Sequence, residues 1–233
     1  EIRNRGIDLG LNYRNEIGKL RYQLGVNFAH YKNEVLKLNN DPNATVFGFT
    51  TRLPAISATR AGIPIASYYG YIVDGVLKDK AEADAAPKFG TYTREGTFKF
   101  RDINGDNVIT AADRTIIGNP HPDFTYGMQF GVNWKDFDFS VMFQGVQGND
   151  VYFLFGNFAY ETQSRGFNSY ADILNRWTPE NTNTNIPKVS LDDRNGNRRP
   201  STRFLYDGSY MRVRNISLGY NLKNILGVEQ ITS

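Results

Sequence analysis

The residues best equipped for chemistry lie between positions 102 and 113, in the run Asp102-Ile103-Asn104-Gly105-Asp106-Asn107-Val108-Ile109-Thr110-Ala111-Ala112-Asp113. Asp102, Asn104 and Asp106 stand two residues apart, a spacing that lets one tight turn aim three side-chain oxygens at a single centre. A hard divalent cation needs about six to eight oxygens. The Val108 carbonyl supplies another, Thr110 adds one directly or through water, and Asp113 closes the loop where such loops usually carry a bidentate Glu. The expected metal ligands are therefore Asp102, Asn104, Asp106, Val108, Thr110 and Asp113. The expected ion is calcium, with a structural role: binding it would order a long loop. There are two departures from the usual pattern. Asn107 stands where Gly is common, although Asn tolerates the left-handed backbone. Asp113 is shorter than Glu, and neither flank reads as a helix, so the segment resembles an isolated extracellular Asp/Asn loop. The plainer alternative is an Asp/Asn turn that binds nothing.

The rest of the chain carries no sign of an enzyme active site. His30 and His121 are far apart in sequence and have no partners at ligand spacing; His30 falls at the end of an apolar strand face. Gly145-Val146-Gln147-Gly148 lacks the strand–loop–helix setting of a phosphate cradle. No Ser/His/Asp arrangement and no distinctive carboxylate pair emerge from the spacing. With no cysteine, disulfides, thiolate metal sites and a Cys nucleophile are excluded. A net charge of +3 makes no case for nucleic acid. Tyr152, Phe153, Phe155, Phe158 and Tyr160 read as an aromatic girdle plus loop core in preference to a partner surface. Arg194, Arg198, Arg199 and Arg203 read as a solvated loop.

These residues must be held by strands. The 233-residue chain has no apolar run near the ~18 residues of a transmembrane helix. Its strongest signal is period-two alternation. Ile7, Leu9, Leu11 and Tyr13 alternate with Asp8, Gly10, Asn12 and Arg14. After a turn at Glu16-Ile17-Gly18, Leu20, Tyr22, Leu24, Val26 and Phe28 alternate with Arg21, Gln23, Gly25 and Asn27. Tyr126 to Trp134 and Phe137 to Phe143 repeat the pattern on either side of Lys135-Asp136, and Ile216, Leu218 and Tyr220 carry a last run. Each run is about one bilayer long, and the connections are either minimal or tens of residues, which is the pattern of outer-membrane barrels. If the tight turns share one side, chain direction fixes the count. Five spanning strands are expected near 3–14, 19–35, 123–134, 137–149 and 209–222. Residues 36–122 and 150–208 are expected as long extracellular loops, with the run Tyr68 to Val76 as one strand outside the membrane. Leu24, Val26, Phe28, Phe130, Val132, Phe139 and Val141 should face lipid. Gln23, Asn27, Gln129, Asn133, Asp138 and Ser140 should face the lumen. The chain starts at Glu1 without Met, close to a strand pattern, and is expected to be a piece of a longer protein.

The segments also resemble, in family order, the SusC/RagA-like TonB-dependent outer-membrane transporters. The resemblance runs through Gly62-Ile63-Pro64, Tyr68-Tyr69-Gly70-Tyr71 and Asp74-Gly75-Val76 to Phe100-Arg101-Asp102-Ile103-Asn104-Gly105-Asp106. It continues in Asp113-Arg114-Thr115-Ile116-Ile117-Gly118-Asn119-Pro120, Pro122-Asp123-Phe124-Thr125-Tyr126-Gly127 and Phe143-Gln144-Gly145. It ends in Arg176-Trp177-Thr178-Pro179-Glu180-Asn181 and in Asp207-Gly208-Ser209-Tyr210-Met211-Arg212-Val213-Arg214-Asn215-Ile216-Ser217-Leu218-Gly219-Tyr220. The resemblance implies an all-β transmembrane antiparallel barrel of about 22 strands in the outer membrane of a Gram-negative bacterium. Residues 1–233 would be part of that single barrel domain, without the plug, the TonB-contacting segment or the terminal strands. The implied function is TonB-dependent import of oligosaccharides or peptides with a SusD-like surface lipoprotein as lid. Two other readings stand beside it: a structural or adhesive barrel without import, and a secreted calcium-binding β-sandwich. The aromatic supply of the long loops, in Tyr68, Tyr69, Tyr71, Phe153, Phe155, Phe158 and Trp177, leads to the expectation that they pack on a second protein, the SusD-like one.

Overall fold

The computed structural model describes residues 1–48, 55–156, 169–190 and 196–222. In chain order its elements are β1 (Ile2–Ile17), β2 (Leu20–Val35), β3 (Thr45–Phe47), β4 (Ser57–Arg60), β5 (Ser67–Gly70), β6 (Val73–Val76), α1 (Lys80–Ala85), β7 (Phe98–Phe100), β8 (Thr115–Gly118), β9 (Phe124–Trp134), β10 (Phe137–Gln147), β11 (Asp150–Tyr152), β12 (Leu205–Asp207) and β13 (Tyr210–Tyr220). Among the described residues no helix is long and apolar enough to cross a membrane. The chain divides into two compact units, one of long strands and one of short elements.

The long-strand unit comprises Asn4–Asn33, His121–Asn149 and Gly208–Ser233. Its sheet has the order β1-β2-β9-β10-β13, so the five strands are those expected from the alternation. It is an open sheet, not a closed barrel, within this chain. Tight turns set the hairpins. Gly18 takes a φ of +62°, so the first turn centres on Gly18-Lys19, and Glu16 and Ile17 extend the strand instead of forming the turn. At the second turn Lys135 itself is left-handed, with φ +53°.

Register carries the facing of this sheet, because cross-strand partners share a face. Leu24 lies opposite Phe130, Phe130 opposite Val141, and Val141 opposite Ile216. The next rows repeat the chemistry with Tyr22, Val132, Phe139 and Leu218, then Leu20, Trp134, Phe137 and Tyr220. On the other face, Gln23, Gly131, Ser140 and Ser217 form one row, and Arg21, Asn133, Asp138 and Gly219 the next. The apolar rows stay open: Leu11 is 63% and Leu218 74% exposed. A β-sandwich would cover them with a second sheet. Glycines let the long side chains of one strand lie across the next. Any Cβ at Gly127 would collide with Asn27 Oδ1, and one at Gly131 would sit 2.9 Å from Gln23 Nε2.

The second unit comprises Glu1–Arg3, Glu34–Pro120 and Asp150–Asp207. Its strands have three or four residues each, too short to span a bilayer. They form sheets β3-β4-β5-β8, β6-β7 and β11-β12. Tyr71, Val76, Phe98, Phe100 and Ile109 build one core, with Val73, Phe89 and Trp177 against it; Leu77, Ala83 and Ala86 build a second. The run Tyr68 to Val76 is two strands, not one. It breaks after Gly70, where the Tyr71 N–H donates to the Pro200 carbonyl and Tyr71 bridges to Ser201.

One expectation about this unit is corrected by its packing. The arginine stretch is not a solvated loop. Asn197, Pro200 and Ser201 are fully buried, and the Arg199 guanidinium stacks 4.1 Å above the Phe89 ring and donates to the Tyr71 hydroxyl at 3.1 Å. The aromatic supply is partly spent inside: Tyr71 is in the core, Tyr152 packs on Tyr68 and Phe204, and Trp177 Nε1 donates to the Lys78 carbonyl. Part of the aromatic supply thus forms loop core, while Tyr68, Tyr69, Phe153 and Trp177 stay partly exposed. Phe155 remains 73% exposed, whereas Phe158, Tyr160 and Arg194 lie outside the described residues.

Candidate functional site

The Asp102 loop leaves β7 immediately after Arg101, which is pinned by a two-pronged ion pair to Asp74. Its far end is anchored by Ile109, buried in the core, whose N–H donates to the Lys88 carbonyl while the Lys88 N–H donates to that of Asn107. Between these anchors the side chains fold the loop around themselves. Asp102 Oδ1 accepts the Gly105 N–H and Oδ2 the Asn107 N–H, each at 2.7 Å. Asn104 Oδ1 accepts the Asp106 N–H, and Asp106 Oδ1 accepts the Val108 N–H at 2.8 Å. Asn107 takes a φ of +61°, the left-handed conformation expected of it.

Thr110 caps the short 3-10 turn Ala111–Asp113, its side chain accepting from the Ala112 N–H. Asp113 is fully buried; Oδ1 accepts the Ile103 N–H and Oδ2 the Thr110 N–H. Burial works against its ionisation, but the amides of Thr110, Ile103 and Asn104 and the Asp102 carboxyl group outweigh burial and hold it below the usual carboxylate range. As they stand, the His, Asp and Glu side chains form no group of three or more that could hold an ion, among the described residues. The donor set nevertheless suits a hard cation. Each carboxylate oxygen that accepts one amide keeps a second lone pair, and carboxylate, amide, hydroxyl and carbonyl oxygens are the ligands such ions take.

The polar face of the long sheet holds a second feature. A trough of about 440 Å³ crosses it, lined by Asn12, Asn27, Thr125, Gln129, Gln144 and Arg214 among others, with Gly10, Gly25 and Gly127 in its floor. Arg214 enters it through a β-bulge. Met142 pairs with Asn215 but Phe143 with Val213, which leaves Arg214 as the extra residue. Alternation within either half of the strand does not reveal this bulge. Its signal was a phase slip: Met211 and Val213 are apolar at odd positions, Ile216, Leu218 and Tyr220 at even ones. His30 continues the apolar row of Leu24, Val26 and Phe28, and its Nδ1 meets the Asp123 carbonyl.

An antiparallel sheet of strands up to 16 residues long, apolar on one face and polar on the other, with tight turns at one end, defines a segment of an outer-membrane β-barrel. No family model matches the chain. It is 34% identical over 228 residues, 95% of its length, to the TonB-dependent receptor P3 of Formosa agariphila, covering 22% of that relative. It is 23% identical to the TonB-dependent receptor SusC of Bacteroides thetaiotaomicron over 96% of its length and 21% of SusC. The solved structure of the RagAB peptide transporter superposes on 99% of the chain with a TM-score of 0.75 at 20% identity, using 24% of the transporter chain. The chain belongs to the SusC/RagA-like TonB-dependent receptors of the Gram-negative outer membrane, and spans about a fifth of the length of the relatives it matches. The secreted β-sandwich is thereby set aside.

Proposed function

We propose that residues 1–233 supply part of the barrel wall of a TonB-dependent importer of oligosaccharides or peptides. In this reading the importer works with a SusD-like surface lipoprotein and with TonB, and it is not an enzyme. The observation that carries the reading is the sheet itself: rows such as Leu24, Phe130, Val141 and Ile216 are continuous and apolar, half-exposed at the first three and open at Ile216, as a lipid-facing wall must be. The opposite face then lines the lumen, and the short-strand unit lies outside the membrane. The naming of relatives as TonB-dependent receptors and of RagAB as a peptide transporter supports the transport class. Uptake of labelled oligosaccharides or peptides should stop when TonB is deleted in cells that express the full-length protein. Uptake that persists at the same rate would leave a structural or adhesive barrel instead. Co-purification of a lipoprotein from native membranes tests the partner, and recovery of the barrel alone would reject it.

We propose also that Asp102, Asn104, Asp106, Val108, Thr110 and Asp113 hold one structural calcium ion. The left-handed Asn107 supports this, because it lets the loop turn inward where such loops usually use Gly. The test is protease sensitivity of the loop with calcium and after chelation, in the wild type and in Asp102→Ala. Chelation should expose the wild-type loop and change nothing in the variant; equal sensitivity throughout would leave a plain turn.

A further inference from the structure

The trough on the polar face holds a cation that no carboxylate answers. Arg214 forms no ion pair among the described residues, and no Asp or Glu lines the trough. The β-bulge at this position adds one residue to β13 and turns the guanidinium into the trough without breaking the apolar row from Val213 to Ile216. Around it stand the amides of Asn12, Asn27, Gln129 and Gln144. Gln144 Oε1 is buried and accepts no hydrogen bond, so an O–H or N–H donor on a ligand would complete it.

We propose that this trough binds a carboxylated glycan, with Arg214 taking the carboxylate and the amides taking the hydroxyl groups; the proposal rests on the import reading above. A guanidinium matches a carboxylate through two parallel hydrogen bonds. Amide side chains both donate and accept, as paired hydroxyls require. Nothing covers the backbone at Gly10, so a flat, polar ring can lie against it there, beside the amides of Asn12 and Asn27 that cross Gly25 and Gly127. The volume suits a small segment of chain, within the ~300–1,000 Å³ common for ligand sites. A peptide fits less well. It would seek an open sheet edge, and most of the trough lies over β2, β9 and β10, each of which is paired on both sides.

The test uses the full-length receptor that contains this chain, purified in detergent micelles and titrated with three probes of equal length: oligogalacturonate, maltooligosaccharide and oligoglutamate. Oligogalacturonate should bind best, and more weakly as salt rises. Arg214→Gln should weaken that binding on the order of tenfold or more, as loss of a charged hydrogen-bonding group does. Arg214→Lys should fall between, since it keeps the charge but not the fork. Arg21→Gln, whose side chain lies outside the trough, should bind like the wild type. If Arg214→Gln fails to assemble, the probe ranking of the wild type and the Arg214→Lys affinity still decide. Preference for maltooligosaccharide or oligoglutamate, or an unchanged affinity in Arg214→Gln, overturns the assignment. TonB-dependent uptake in cells, measured alongside, separates its failure from failure of the import reading.

Discussion

Asp102 Oδ2 accepts the backbone N–H of Asn107 at 2.7 Å, and Asn107 is the residue that turns left-handed. One carboxylate therefore fixes the point where the acidic loop reverses, using a residue whose short polar side chain tolerates that backbone.

A substitution pair at this point separates backbone from side-chain effects. Asn107→Gly should be nearly neutral or slightly stabilising to the loop, since glycine adopts positive φ at no steric cost. Asn107→Val should cost about 1–2 kcal/mol, because a β-branched residue resists that conformation. Amide hydrogen exchange of residues 102–113 would report both, and equal effects would remove the argument from backbone geometry.

Asp113 should make the short-strand unit acid-sensitive. Its folded pKa lies below the unfolded one, so its stabilisation is present above the ordinary carboxylate pKa of ~4 and is lost as pH falls through the lower folded value. Asp113→Asn should lower stability at neutral pH by on the order of 1–3 kcal/mol, through the charged hydrogen bonds from Ile103 and Thr110. It should also flatten the acid limb of the stability curve. An unchanged acid limb would mean that another group governs it.

Arg199 is a packing residue. Arg199→Ala should destabilise the short-strand unit by about 1–3 kcal/mol through loss of its stacking on Phe89 and its bond to Tyr71. Arg199→Lys should recover only part, because an ammonium cannot stack as a plane. Thermal unfolding of the two variants would show full recovery by Lys if charge alone mattered.

The long strands were legible because alternation over ten or more residues has one stable solution, and register then places Leu24, Phe130 and Val141 in one row. The short-strand unit was legible only in outline. Arg199 and Trp177 are polar or amphipathic, so nothing local says that they cover Phe89 and the core around Phe100. The break at Tyr71 depends on Pro200 and Ser201, more than a hundred residues away, and no window of sequence contains that pairing. In the Asp102 loop the left-handed Asn107 was readable from residue type. The use of Asp102 and Asp106 as acceptors for their own loop's amides emerges only from the folded turn.

The central claim is that one face of the five-stranded sheet meets lipid and the other does not. Neighbouring residues of β10 test it: Val141 lies in the apolar row with Phe130 and Ile216, Ser140 in the polar row with Gly131 and Ser217. An arginine on the lipid side near the membrane midplane costs about 2–4 kcal/mol, whereas one on the lumen side meets water. The measurement is assembly of the full-length protein in outer membranes, read as the mobility difference between heated and unheated samples on a gel. Val141→Arg should sharply reduce the folded, fast-migrating form while Ser140→Arg leaves it near the wild-type level; equal losses, or the reverse order, would contradict the account.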